Sequence, residues 1–157
     1  MDGKALEKLL QESCKIQDID CTRLRDAGWQ GEQTQRRFTI KNICDFIVFG
    51  DATLLYIECK TAKERLALSR LTQQKDLYSK KIGTGQRLFC GYLIWIAGDF
   101  VFIRVESVDL FIGTGKKSIN KTDALMIGVK VGEFTPPRAR KPRLDIKELI
   151  HELNHPF

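Results

Sequence analysis

The sequence is poor in imidazole: His151 and His155 are its only histidines, and both stand near the C-terminal end of its 157 residues. That argues against histidine-based nucleophilic catalysis or histidine-ligated zinc in the body of the chain. Its five cysteines, at 14, 21, 44, 59 and 90, are odd in number and include no C-x-x-C. Cys44 and Cys59 lie inside apolar runs, which favours buried free thiols in a reducing compartment over a disulfide framework or a zinc site. No apolar run approaches the ~20 residues that span a bilayer, so no membrane is expected. The N-terminal MDGKALEKLLQES carries charge where a secretory signal has an apolar stretch, and a cytoplasmic protein is the expectation.

What is present suits one soluble domain with a real core: 43% of residues are hydrophobic and 29% charged. A formal charge of +6 favours polyanionic partners, nucleic acid above all, because neutralising phosphates releases counterions.

Leu6, Leu9, Leu10 and Cys14 recur at helical spacing, which predicts a helix from Lys4 to about Lys15, capped by Asp2 or Gly3. DCTRLRDAG (20–28) reads as a short strand and WQGEQTQRRFTIKN (29–42) as a polar, basic loop. Two apolar strands follow, near Cys44–Phe49 and Thr53–Cys59, with GDA between them as a turn. Residues 61–71 have no clean period. Thr72 reads as the N-cap of a second helix reaching about Lys81, with Leu77 and Tyr78 inward. Residues 88–108 predict a hairpin turning at Ala97–Asp99, and 113–121 a loop. FTPPRARKPR (134–143) reads as a basic, proline-rich linker unable to join a regular element, with LDIKELIHEL as a terminal helix. The division is therefore a domain over 1–133, then a linker and short helix over 134–157. The order helix, three strands, helix, two strands describes an α/β fold with a mixed central sheet and a helix on either face.

Three ions interrupt the apolar hairpin. Alternation along a strand sends Glu58 and Lys60 to one face and Ile57 and Cys59 to the other. If the two strands pair across their turn, Asp45 and Glu58 converge at one end of the sheet. Two carboxylates brought together take up a proton or hold a cation between them, and hard oxygen ligands select Mg²⁺ or Mn²⁺. A metal-bound water is acidic enough to attack a phosphodiester, and Lys60 would orient it or stabilise phosphate charge. A lone E-x-K would read as a structural ion pair; D-x₁₂-E-x-K on two consecutive apolar strands favours a nuclease.

ICD at 43–45 followed by IECK at 57–60 resembles the PD-(D/E)XK nuclease superfamily, with Cys44 where the superfamily name has proline. The resemblance runs over roughly residues 3–105 and is greatest to Holliday-junction resolvases of the RecU-like type, with archaeal resolvases close behind. It implies a restriction-endonuclease-like αβββαβ core. It implies Asp45, Glu58 and Lys60 as the catalytic set, and Glu7 of Gly3-x-x-x-Glu7 as a further metal ligand beside Asp45 and Glu58. It also implies a catalytic glutamine on the following helix, Gln74, with Gln73 as the neighbouring choice.

Cations flank these motifs: Arg23, Arg25, Arg36, Arg37 and Lys41 before them, Lys63, Arg65, Arg70 and Lys75 after. Such flanking suits contacts to a DNA backbone. The reading is a Mg²⁺-dependent endonuclease, with Mn²⁺ able to substitute, acting on branched DNA such as four-way junctions. Two symmetric cuts at a junction imply a homodimer. A restriction or repair nuclease on linear duplex, flap or single-stranded DNA stays open, as does a non-catalytic DNA-binding protein of the same fold. The expected setting is the nucleoid, with host and phage origin both open.

Overall fold

The Asp2 carboxylate accepts the Ala5 N–H at 2.8 Å and caps helix α1 (Gly3–Ile16), whose Leu6, Leu10 and Cys14 form one buried stripe. The computed structural model describes residues 1–24, 44–72 and 87–156. The helix stops where Ile19 N–H bonds back to Cys14 O at 2.9 Å, with Asp18 left-handed at φ 57°. Strand β1 (Asp20–Arg23) then pairs antiparallel with β2 (Phe46–Gly50), and β2 with β3 (Thr53–Ala62).

The β2–β3 turn is Asp51–Ala52, both left-handed at φ 48° and 51°. That is the geometry a two-residue hairpin needs, although neither residue is glycine. Arg87 holds the turn by donating to Asp51 O at 2.6 Å and to its carboxylate at 3.0 Å. Strand β3 then crosses over through β4 (Arg65–Ala67) and α2 (Ser69–Thr72) to pair in parallel with β5 (Leu88–Ile96). A second two-residue turn, Ala97–Gly98, returns the chain as β6 (Asp99–Arg104), antiparallel to β5.

After β6 come α3 (Val105–Ile112), β7 (Ser118–Asn120), α4 (Lys121–Ile127), β8 (Val129–Lys130), β9 (Glu133–Phe134), β10 (Arg143–Leu144) and α5 (Ile146–Asn154). The main sheet has the order β1-β2-β3-β5-β6-β8, while β4 pairs with β7 and β9 with β10. This is the expected mixed sheet flanked by helices.

Each face carries its own core. Leu6 and Leu10 of α1 and Leu149 and Ile150 of α5 meet Phe46, Val48, Leu55 and Ile57 on one side. On the other, Leu66, Leu71, Val108, Phe111 and Ile119 meet Tyr92, Ile94, Val101 and Ile103. Burying each such side chain contributes about 1.5–3 kcal/mol. Among the described residues no helix is long and apolar enough to cross a membrane.

Several expectations need correction. Thr72 is already helical, in a helix that begins at Ser69, so it is not an N-cap. The second strand of the 88–108 hairpin ends at Arg104, and Val105 opens a helix instead. Residues 113–121 contain strand β7, which finds its partner β4 far back in the sequence. The proline-rich stretch does join a regular element, because its ends pair with register Arg143↔Phe134. The terminal helix packs into the same core as α1.

Candidate active site

The hairpin ties one strand acid beside the other. The β2–β3 ladder ends at Phe46↔Ile57, and Asp45, one residue earlier, bonds to both neighbours of Glu58 on β3, Ile57 and Cys59. Asp45 stands one residue before β2, yet its N–H still bonds to Ile57 O at 3.0 Å and its carbonyl accepts Leu24 N–H at 2.8 Å. Its side chain reaches β3 as well: Oδ2 accepts the backbone N–H of Cys59 at 2.8 Å. Asp45 is thus clamped by main chain on both sides, with Oδ1 left outside the Cys59 bond.

Glu58 is 7% exposed, and Lys60 Nζ stands 3.2 Å from its Oε1 on the same face of β3. An ion pair in so dry a place has a strong attraction and a heavy desolvation cost, and removing one partner leaves the other charge uncompensated. Across the parallel ladder Glu58 faces Tyr92, whose hydroxyl donates to Leu71 O. Burial first, then the charges of Cys90, Glu58 and Asp109, push the Tyr92 phenol well above its ordinary value. Local sequence gives no sign of Tyr92, because parallel partners are set by the crossover and not by a turn.

Glu7 approaches from α1. It makes a 2.8 Å ion pair with Arg23 of β1, and Arg23 also lies 5.9 Å over the Phe46 ring. Cys59 sits amid all three acids: burial, then the negative charges of Asp45, Glu7 and Glu58, raise its thiol far above the usual range. Cys44 is pushed up to about 12, mainly by burial. These thiols stay neutral and serve as packing, as the odd, unpaired cysteine count suggests.

The three acids therefore gather around Cys59 of β3. Among the described residues no three His, Cys, Asp or Glu side chains are close enough to hold a metal ion together. Glu7 is turned to Arg23 and Glu58 to Lys60. The donor chemistry of Asp45 and Glu58, all carboxylate oxygen with no thiolate or imidazole, fits Mg²⁺ or Mn²⁺.

Of the cations expected to meet DNA, Lys63, Arg65 and Arg70 are exposed beyond the Lys60 end of β3, and Arg70 donates to Thr61 O at 3.3 Å. Arg25, Arg36, Arg37, Lys41, Gln73, Gln74 and Lys75 lie outside the described residues. A cleft of about 400 Å³ lined by Gln17, Asp18, Gly50, Asp51, Lys147 and His151 lies at the turn end of β2, away from Asp45. It contains none of the predicted site residues.

No family model matches the chain, and no curated protein matches it. Among solved structures, Hjc, a Holliday junction resolvase from the archaeal hyperthermophile Archaeoglobus fulgidus, is similar with a TM-score of 0.50 and 20% identity. The similarity covers 82% of this chain and 95% of that one. At such identity it is the fold that is shared: the chain has the mixed α/β, restriction-endonuclease-like fold of that structure.

Proposed function

We propose that this restriction-endonuclease-like chain is a divalent-metal-dependent endonuclease that hydrolyses phosphodiester bonds in branched DNA, four-way junctions foremost. The observation that carries the reading is that Asp45 bonds to the residues on either side of Glu58, Ile57 and Cys59, with Lys60 on the face of Glu58. A purely structural ion pair explains Glu58 and Lys60; it leaves unexplained why a second carboxylate is clamped beside them.

Asp45 and Glu58 would hold Mg²⁺, or Mn²⁺ in its place, with Glu7 as a further ligand if it leaves Arg23. Such a cation, when bound, supplies an acidified water and neutralises charge on the phosphate. The chain's own part is positional. The Cys59 N–H fixes the Asp45 carboxylate, the sheet excludes water from Glu58, and the Lys60 ammonium stands ready to orient the nucleophile or stabilise phosphate charge. Gln74 belongs to this set as a catalytic residue carried by the crossover. Arg23, Arg25, Arg36, Arg37, Lys41, Lys63, Arg65, Arg70 and Lys75 would position the backbone without reading sequence. Paired cuts at a junction call for a homodimer, and the setting is the cytoplasm.

The test is cleavage of a four-way junction beside a matched linear duplex, each in Mg²⁺, in Mn²⁺ and in chelator. Junction cleavage dependent on metal is the expected result. Faster cutting of the duplex would move the substrate to linear DNA, and no cutting of a wider panel in either metal would end the nuclease reading.

A further inference from the structure

The segment between β9 and β10 stands apart from the candidate active site, and its construction is unusual for a linker. Residues 135–142 form a closed loop whose ends are tied by the Phe134↔Arg143 and Glu133↔Leu144 pairs. Pro136 is buried at its base, and its carbonyl accepts Ala139 N–H at 3.0 Å in a turn. Arg138 is held left-handed at φ 68°, a conformation an L-residue adopts only when its surroundings impose it. On the returning limb the Arg143 guanidinium donates to the carbonyls of Lys141 and Pro142 at 3.1 and 3.2 Å, while reaching Glu12 of α1 at 3.6 Å.

Onto this frame the chain puts Arg138, Arg140 and Lys141, all exposed. Among the described residues none of these cations is paired with a carboxylate, whereas Arg23, Arg104, Lys116 and Arg143 each are. Unneutralised cations on a braced loop keep their hydration and counterions until an anion arrives. The bracing also lowers the ordering cost of binding. Repeated phosphates meet that description better than a single acidic side chain, since guanidinium forks suit phosphate oxygens and a duplex offers them in a row.

We infer that loop 135–142 is a contact for the phosphate backbone of one duplex arm of the substrate, alongside α1. The inference rests on reading the chain as a DNA-acting protein, but not on its cutting. The loop is anchored at Glu12 and Ser13, while Glu7 marks the candidate active site on the same helix.

The experiment replaces Arg138, Arg140 and Lys141 together with alanine in the full chain. It measures Kd for a four-way junction and for linear duplex in chelator, over a range of salt concentrations. Because each duplex phosphate contact adds about 0.9 to the slope of log K against log salt, the slope should fall by about 2–3. Hydroxyl-radical protection of the strand that the loop touches should vanish with it. Equal slope and affinity in variant and wild type, with both proteins melting alike, would overturn the inference. So would wild-type DNA binding in the variant combined with loss of binding to anionic phospholipid vesicles, which would assign the loop to a membrane surface. If the wild type binds DNA through the loop but cuts nothing in any metal, the inference stands and the nuclease reading fails.

Discussion

The Asp45 carboxylate accepts the Cys59 N–H at 2.8 Å, so the residue that opens the first motif is fixed by the main chain between the two ions of the second. This bond separates two roles that one substitution would otherwise confuse. Asp45→Asn keeps a side-chain oxygen for the Cys59 N–H and removes only the charge. Metal-dependent cleavage should fall on the order of a hundredfold or more, with DNA binding in chelator and thermal stability near wild type. Asp45→Ala also orphans the Cys59 N–H and should lose about 1–3 kcal/mol of stability besides. Cleavage at the wild-type rate by the folded Asn variant would remove Asp45 from the site.

The junction of β7 and α4 carries an acid-sensitive clasp. The Asp123 carboxylate accepts the Asn120 N–H at 3.1 Å and Lys116 Nζ–H at 3.0 Å, while Asp123 N–H returns a bond to Asn120 Oδ1 at 2.8 Å. The Asn120 N–H above all, then Lys116 and the charge of Arg65, hold the Asp123 carboxyl below the usual carboxylate range against the opposing effect of burial. The folded state thus binds its proton less readily than the unfolded chain. The stabilisation is complete above the unfolded pKa of about 3.9 and is lost as pH falls through the lower folded value. Asp123→Asn should lower stability by about 1 kcal/mol at pH 7 and by much less in acid below the carboxyl's folded value. Denaturant melts at the two pH values check this.

Gly91 of β5 is where the sheet admits no side chain. A Cβ there would strike the Ile103 carbonyl oxygen and lie 2.8 Å from Phe102 Cζ, and neither can withdraw without moving β6. Gly91→Ala should therefore cost about 1–3 kcal/mol, read as a lowered urea midpoint. Since Gly91 pairs with Ile57 in the parallel ladder, the variant should also lose catalytic rate through displacement of the neighbouring Glu58. An unchanged midpoint would mean that β5 and β6 are less closely fitted than their carbonyl spacing requires.

What the sequence could predict of the candidate site is what is local in it. One tight turn brings Asp45 to Cys59, and period-two alternation places Lys60 with Glu58. The same logic found both hairpin turns. It failed at Val105, because VESV continues the apolar run of β6 and a helix only eight residues long shows no separable period. Helix α4 had left a mark, the Asn120-x-x-Asp123 capping box, inside a stretch otherwise dominated by Gly and Lys. The β4–β7 ladder left none, because its register joins Leu66 to Ile119 and nothing nearby in sequence specifies that. Proline misled the reading of 134–143: the prolines occupy the loop itself, and the paired residues are the Phe134 and Arg143 that bracket it.

The shared core of α1 and α5 has a consequence for the order in which a growing chain becomes competent. Every described member of the candidate catalytic set precedes Thr61, yet α1, which carries Glu7, shares its core with Leu144, Ile146, Leu149, Ile150 and Leu153. During vectorial synthesis the strands with Asp45 and Glu58 emerge long before those residues do. Until they arrive, the stripe of Leu6, Leu10 and Cys14 lacks part of its cover, and Glu7 rides on an incompletely seated helix. A nascent chain would hold these acids without their final alignment until the helix that begins at Ile146 is in place.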